Sequence, residues 1–208
     1  MAGSSIQAVI FDLGNVLIDF DYHIAINRIS QFTDKSPKQI FGLFFDSQLT
    51  ALFEEGKISP NDFFLRVKEM LNLKLDYESF LPIWNDIFFL SPKNLQVYNL
   101  ARLLNKNYPL ALLSNINVLH LDYIKKKFSV FDHFENIIAS CDMKMRKPDP
   151  LIYQKTLDTL GALPQNTFYT DDRPELVESA NRLGLKGFVF KGVAQLNKDI
   201  IAAGISLN

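Results

Sequence analysis

Residues 8–16 read Ala8-Val9-Ile10-Phe11-Asp12-Leu13-Gly14-Asn15-Val16, an unbroken apolar run that stops on a carboxylate and enters a tight segment. A run with no polar alternation suits a strand buried on both faces, which is the signature of a parallel sheet. In open α/β sheets, ligands collect outside the carboxyl ends of such strands, so Asp12 is expected at the mouth of a crevice. Taken alone, Asp12 reads first as a turn residue after a strand.

Two further apolar runs repeat the pattern. Pro109-Leu110-Ala111-Leu112-Leu113 ends on Ser114-Asn115, and Thr167-Phe168-Tyr169-Thr170 ends on Asp171-Asp172. Lys147 stands in Arg146-Lys147-Pro148-Asp149-Pro150, just before a helical pattern. Each has an ordinary explanation: Ser114-Asn115 as a helix cap, Lys147 as a solvated charge, Asp172 as an N-cap. Their common placement, at three strand ends and one helix start, argues for one shared crevice.

The order FDLGNV, LLSN, RKPDP, YTDD resembles the four motifs of the haloacid dehalogenase-like hydrolase superfamily, most of whose members are magnesium-dependent phosphatases. The wording DLGNVL, Glu55-Gly56-Lys57-Ile58-Ser59 and MRKPDPLIY is most similar to a sugar-phosphate phosphatase branch. That branch includes bacterial α-D-glucose-1-phosphatase and is related to the amino-terminal domain of soluble epoxide hydrolase. The resemblance implies Asp12 as nucleophile, with Asp12, the Gly14 carbonyl and Asp172 as Mg2+ ligands and Asp171 as a more distant or alternative one. It implies Ser114 and the Asn115 amide as phosphate donors and Lys147 as a catalytic point charge. Asn15 can orient water or phosphate but cannot take up a proton at neutral pH.

One position departs from the family pattern. The residue two after the nucleophile is usually a second aspartate, which protonates the leaving alkoxide and later activates water; here it is Gly14. Such acid–base help is worth roughly 100- to 10,000-fold in rate. Asp19, Asp21, His23, Glu54 or Glu55 could substitute, or the substrate could carry a better leaving group such as an anomeric oxygen. Otherwise the chain is weakly active or a non-catalytic binding protein. A metal-independent dehalogenase is a further alternative, opposed by the adjacent Asp171 and Asp172, whose mutual repulsion calls for a cation.

The organisation expected is a doubly wound, Rossmann-like parallel α/β sheet built from residues 1–20 and 90–208, where strand and helix patterns alternate. Expected strands lie at 8–11, 109–113, 136–140, 167–170 and 186–190. Helices are expected from Ser91-Pro92, around 117–128, from Pro150, from Pro174 and near 193–203. Asp172 and Glu175 have capping-box spacing. Residues 21–89 carry helix-start signals at Ser36-Pro37 and Ser59-Pro60, a stop at Gly56, and nine phenylalanines from Phe41 to Phe89. This segment is expected to form a helical insertion, which the resemblance implies is a mobile cap.

Composition limits the partners. A length of 208 residues suits one globular unit, and 48% apolar with 22% charged residues is ordinary for a soluble protein. The net charge of −1 argues against a nucleic-acid binder. The amino-terminal apolar stretch lacks a basic region and is broken by Asp12, so neither a signal peptide nor a membrane span is expected. The single cysteine, Cys141, allows no intramolecular disulfide and fits a reducing, cytoplasmic setting. A small phosphorylated metabolite is the expected partner; the sequence specifies no oligomeric state.

Overall fold

A computed structural model describes residues 5–45 and 47–206. Residues 1–4, the start of the stretch read above as no leader, lie outside the described residues. In chain order the elements are β1 (Ala8–Phe11), β2 (Asp19–Phe20), α1 (Tyr22–Ile29), α2 (Pro37–Phe45), α3 (Gln48–Glu54), α4 (Pro60–Met70), α5 (Tyr77–Asn85) and β3 (Phe88–Phe89). There follow α6 (Pro92–Leu104), β4 (Leu110–Ser114), α7 (Val118–Lys127), β5 (Asn136–Ala139), α8 (Ser140–Met143) and α9 (Pro150–Leu160). The chain continues through β6 (Thr167–Asp171), α10 (Pro174–Arg182), β7 (Lys186–Val189) and α11 (Val193–Ala202).

Five strands form a parallel sheet in the order β5-β4-β1-β6-β7, the α/β architecture expected. The central strand β1 is wholly buried, with Phe11 opposite Leu112 on one side and Thr170 on the other. The chain visits β4 and β5 on one side of β1 before crossing to β6 and β7, so β1 marks the switch point where a crevice opens. Alternation across the pleat divides the buried residues between the two faces. Val9, Phe11, Leu110, Leu112 and Phe168 pack against α6, α7 and α11, whereas Ile10, Ala111, Leu113 and Tyr169 pack against α9 and α10.

Between β1 and α6 the chain builds helices α1–α5, whose apolar faces gather a separate cluster around Phe44, Phe53, Phe63, Phe64, Phe80 and Trp84. Phe53 and Phe63 stack with ring centroids 4.2 Å apart. The helix starts follow from side-chain caps: Asp21, Ser47, Ser59 and Asp76 accept from the backbone of α1, α3, α4 and α5. Phe41, by contrast, is 43% exposed. The segment is not purely helical. Strands β2 and β3 pair antiparallel where the chain enters and leaves it. Two-residue strands carry no alternation, so the sequence pattern gives no sign of them.

The segment is tied to the sheet domain through buried and charged contacts. His120 on α7 stacks on Trp84 and donates from Nε2 to the Trp84 carbonyl (3.1 Å), while Asn117 Nδ2 donates to its Nδ1. Burial pushes its pKa down to about 4, so the ring is neutral. Nearby, Asp86 accepts from Lys127 (2.8 Å) and Tyr123 (2.7 Å), which hold its carboxyl down at about 2.

The capping box at Asp172 does not form. Arg173 is the N-cap of α10 and no side chain caps it. Asp172 turns its carboxylate instead to the Asn15 side chain, which donates at 2.8 Å. A contact made across the crevice has displaced the local one.

Candidate active site

The residues singled out at the strand ends converge. Asp12, Gly14, Asn15, Ser114, Asn115, Lys147, Asp171 and Asp172 all line one cleft of about 410 Å³ at the carboxyl end of β1, β4 and β6. Phe20, Tyr22, Phe41, Phe45 and Glu54 line the same cleft from the helical segment, and Arg173 and Leu176 from the sheet side.

Lys147 is the centre of the polar network, and it is not a surface charge: it is 1% exposed. Its Nζ donates to Asp12 Oδ1 (2.7 Å), Asp171 Oδ2 (2.6 Å) and the Leu113 carbonyl (2.9 Å), which uses all three ammonium protons. Burial lowers the lysine pKa, but Asp12 and Asp171 outweigh that and leave it raised, so the group stays charged. Asn115 holds the backbone of this residue from both sides, accepting from Lys147 N (2.8 Å) and donating to Lys147 O (2.9 Å). Its side-chain amide is therefore a clamp on the lysine backbone.

The three carboxylates differ in their environment. Burial pushes Asp12 up to about 7, with Lys147 opposing and the charges of Asp171 and Asp172 adding to the rise. Asp171 is also penalised by burial. Hydrogen bonds from Lys147, from the hydroxyl of buried Tyr169 and from the Arg173 amide (2.9 Å) nevertheless hold it below the usual range. Asp172 is raised by burial, with only Asn15 donating to it among the described contacts. Asn15 itself has a left-handed backbone (φ 56°), which asparagine tolerates better than most residues.

One carboxylate oxygen from each of Asp12, Asp171 and Asp172 lies within 4.8 Å of the others. Three carboxylates face a single ammonium here, and such an excess of negative charge is what a hard divalent cation complements with oxygen ligands. The residues present fit magnesium.

A sequence profile of the haloacid dehalogenase-like hydrolases matches residues 6–184. The chain belongs to that family. Among relatives of the haloacid dehalogenase-like chain, a sesquiterpene phosphatase of Aspergillus oryzae is 26% identical over 88% of this chain and 89% of its own. A D-ribitol-5-phosphate phosphatase of Bacteroides thetaiotaomicron is 22% identical over 88% and 91%. A haloacid dehalogenase family enzyme of the same bacterium, solved with magnesium and inorganic phosphate, superposes with TM-score 0.78 at 28% identity, covering 90% of this chain and 95% of that one.

Sequence reasoning did not single out Tyr22, Arg173 or Leu176. Arg173 directly follows Asp171-Asp172, which is the one signal that pointed to it; Tyr22 and Leu176 reach the cleft only through tertiary packing. Among the described residues no helix is long and apolar enough to cross a membrane.

Proposed function

We propose that this chain is a magnesium-dependent phosphatase of small phosphorylated metabolites, working through an aspartyl phosphate on Asp12. The reading rests on one observation: three carboxylates and one buried ammonium in a single cleft, gathered from the ends of two strands and a helix start. Asp12 and Asp172 would hold the metal together with the Gly14 carbonyl. Asp171, whose two oxygens already accept from Lys147, Tyr169 and Arg173, acts mainly as the anchor of Lys147. Magnesium, when bound, supplies positive charge that keeps the carboxylates ionised and neutralises phosphoryl oxygens. Asp12 attacks phosphorus, Ser114 and the Asn115 backbone amide donate to the phosphoryl oxygens, and Lys147 lends its charge from behind the nucleophile. Sugar phosphates are the substrate class we favour. The helical segment at 21–89 serves as the cap over the cleft, with its Phe41, Phe45 and Tyr22 rings facing the substrate body. A metal-free dehalogenase is disfavoured, since it leaves the repulsion among the carboxylates unrelieved.

The test is hydrolysis of a panel of sugar, polyol and aryl phosphates with and without magnesium, alongside thermal melts. Magnesium at about 100 times its dissociation constant should stabilise the fold by ~2.7 kcal/mol. For a chain of this size that is a rise in Tm of roughly 5–10 °C. Turnover independent of magnesium, with no change in melting, would contradict the reading.

A further inference from the structure

Gly14 leaves the expected acid–base position without a side chain, and the structure shows what occupies the space. A Cβ built at Gly14 would lie 2.8 Å from the ring of Phe20. That ring is held in turn by Tyr22 and Phe88, at centroid distances of 4.7 and 6.1 Å. A carboxylate at position 14 would have to displace an aromatic cluster. The proton must come from elsewhere.

Of the five residues able to substitute, four are engaged away from the cleft. Asp19 accepts from Lys93 (2.6 Å), Ser91 and Asn94. Asp21 caps α1 through the His23 amide. His23 lines a separate apolar depression with Ile26, Pro37 and Phe41. Glu55 pairs with Lys57 at 2.8 Å. Glu54 alone of the five lines the Asp12 cleft, and it also lines the small recess behind Gly14 and Phe20.

The chain fixes Glu54 there. Its carbonyl accepts from Ser140 Oγ at 2.6 Å, and the Gly56 carbonyl accepts from Lys144 Nζ at 2.8 Å. Gly56 adopts φ 59° and passes so close to α8 that a Cβ would lie 2.2 Å from the Cys141 carbonyl, which only glycine permits. Arg146 lies 3.3 Å from one carboxylate oxygen and orients the group. Burial raises the Glu54 pKa against the pull of Arg146 and Arg173, which favours the protonated form a donor needs.

We propose that Glu54 is the general acid and base of this site, serving from α3 the role that position 14 has given up. The inference rests on the phosphatase reading above. As the Asp12–phosphorus bond forms and the phosphorus–alkoxide bond breaks, the Glu54 proton passes to the leaving oxygen and an alcohol departs. Water then attacks phosphorus and gives its proton to the Glu54 carboxylate. The acyl-phosphate bond breaks, releasing phosphate and restoring both side chains.

Glu54→Gln, nearly isosteric, should lower kcat/KM for an alkyl phosphate by roughly 100-fold or more. For p-nitrophenyl phosphate, whose leaving group needs no proton, the fall should be only a few-fold. A burst of nitrophenolate should appear with that ester, because water attack has lost its base. Glu54→Asp should recover part of the alkyl-phosphate activity. Equal losses on both esters, or no loss on the alkyl ester, would overturn the role of Glu54 while leaving the phosphatase reading intact. A wild-type protein inert toward both esters would overturn both.

Discussion

The ends of the sheet strands and the phenylalanine-rich helical segment are built on opposite terms. At the strand ends two carboxylates and an ammonium are buried together beside a third, half-buried carboxylate, a costly arrangement that holds only because each group has a partner. In the helical segment the interior is aromatic and aliphatic, and polar groups act chiefly as helix caps. One region stores chemistry at the expense of stability, and the other supplies stability and a wall for the cleft. Changes in the first should therefore act on turnover, and on melting too where a buried partner is lost, whereas changes in the second should act on melting alone.

The largest effect should come from Asp12→Asn, which keeps the shape of the side chain and removes the proposed nucleophile. Turnover should fall on the order of ten thousand-fold or more, while the circular dichroism spectrum is unchanged. Substantial residual activity would place the chemistry elsewhere in the cleft. Next, Lys147→Met leaves Asp12 and Asp171 buried without their shared cation. Breaking a buried pair in this way costs about 3–5 kcal/mol, or roughly 10 °C in Tm. Here the comparison is sharpest, since one change at the strand ends should damage both activity and fold.

Phe63→Ala tests the other region. Emptying that fully buried ring site should cost about 3 kcal/mol. Activity at low temperature, measured on the folded protein, should stay close to wild type. A large loss of turnover without a loss of stability would mean that the interior of the helical segment takes part in the chemistry. The smallest net effect concerns the seam between the two regions. His120 is neutral in the fold with its pKa lowered to about 4, whereas the unfolded chain binds its proton near the ordinary value for histidine. Between those values the unfolded state holds more protons at His120, so its contribution to stability falls as the pH drops from about 6.5 to 4, by roughly 3 kcal/mol, while Asp12, raised to about 7 in the fold, contributes with the opposite sign. Urea melts of wild type and His120→Asn across that range should show the His120 contribution as a difference between the two proteins that shrinks toward acid pH.

The same contrast explains what could be read from the chain. Residues 8–12, 110–115 and 167–172 were legible because buried parallel strands need unbroken apolar runs, and the polar residue ending each run has a defined place in the sheet. The cleft wall was not legible in that way. Phe41 and Phe45 lie on the same short helix as buried Phe44, and nothing in their spacing separates a ring that faces the cleft from one that faces the interior. Asp172 shows a different limit. Its capping-box spacing with Glu175 is a local signal, and a contact to Asn15, 157 positions away in sequence, overrides it. Glu54 is one of five acid–base candidates in the sequence, and what sets it apart is tertiary: the contacts of its own carbonyl with Ser140 and of Gly56 with α8.

In the proposed reaction Asp12 carries the phosphoryl group between substrate and water. Acid quenching during turnover of a radiolabelled phosphate ester, followed by peptide mapping, would trap that phosphoenzyme. The label should appear on the peptide that contains Asp12, disappear on treatment with hydroxylamine, and be absent in Asp12→Asn. Label on a different residue, or turnover that continues with no phosphoenzyme in rapid-quench samples, would rule out Asp12 as the phosphoryl carrier.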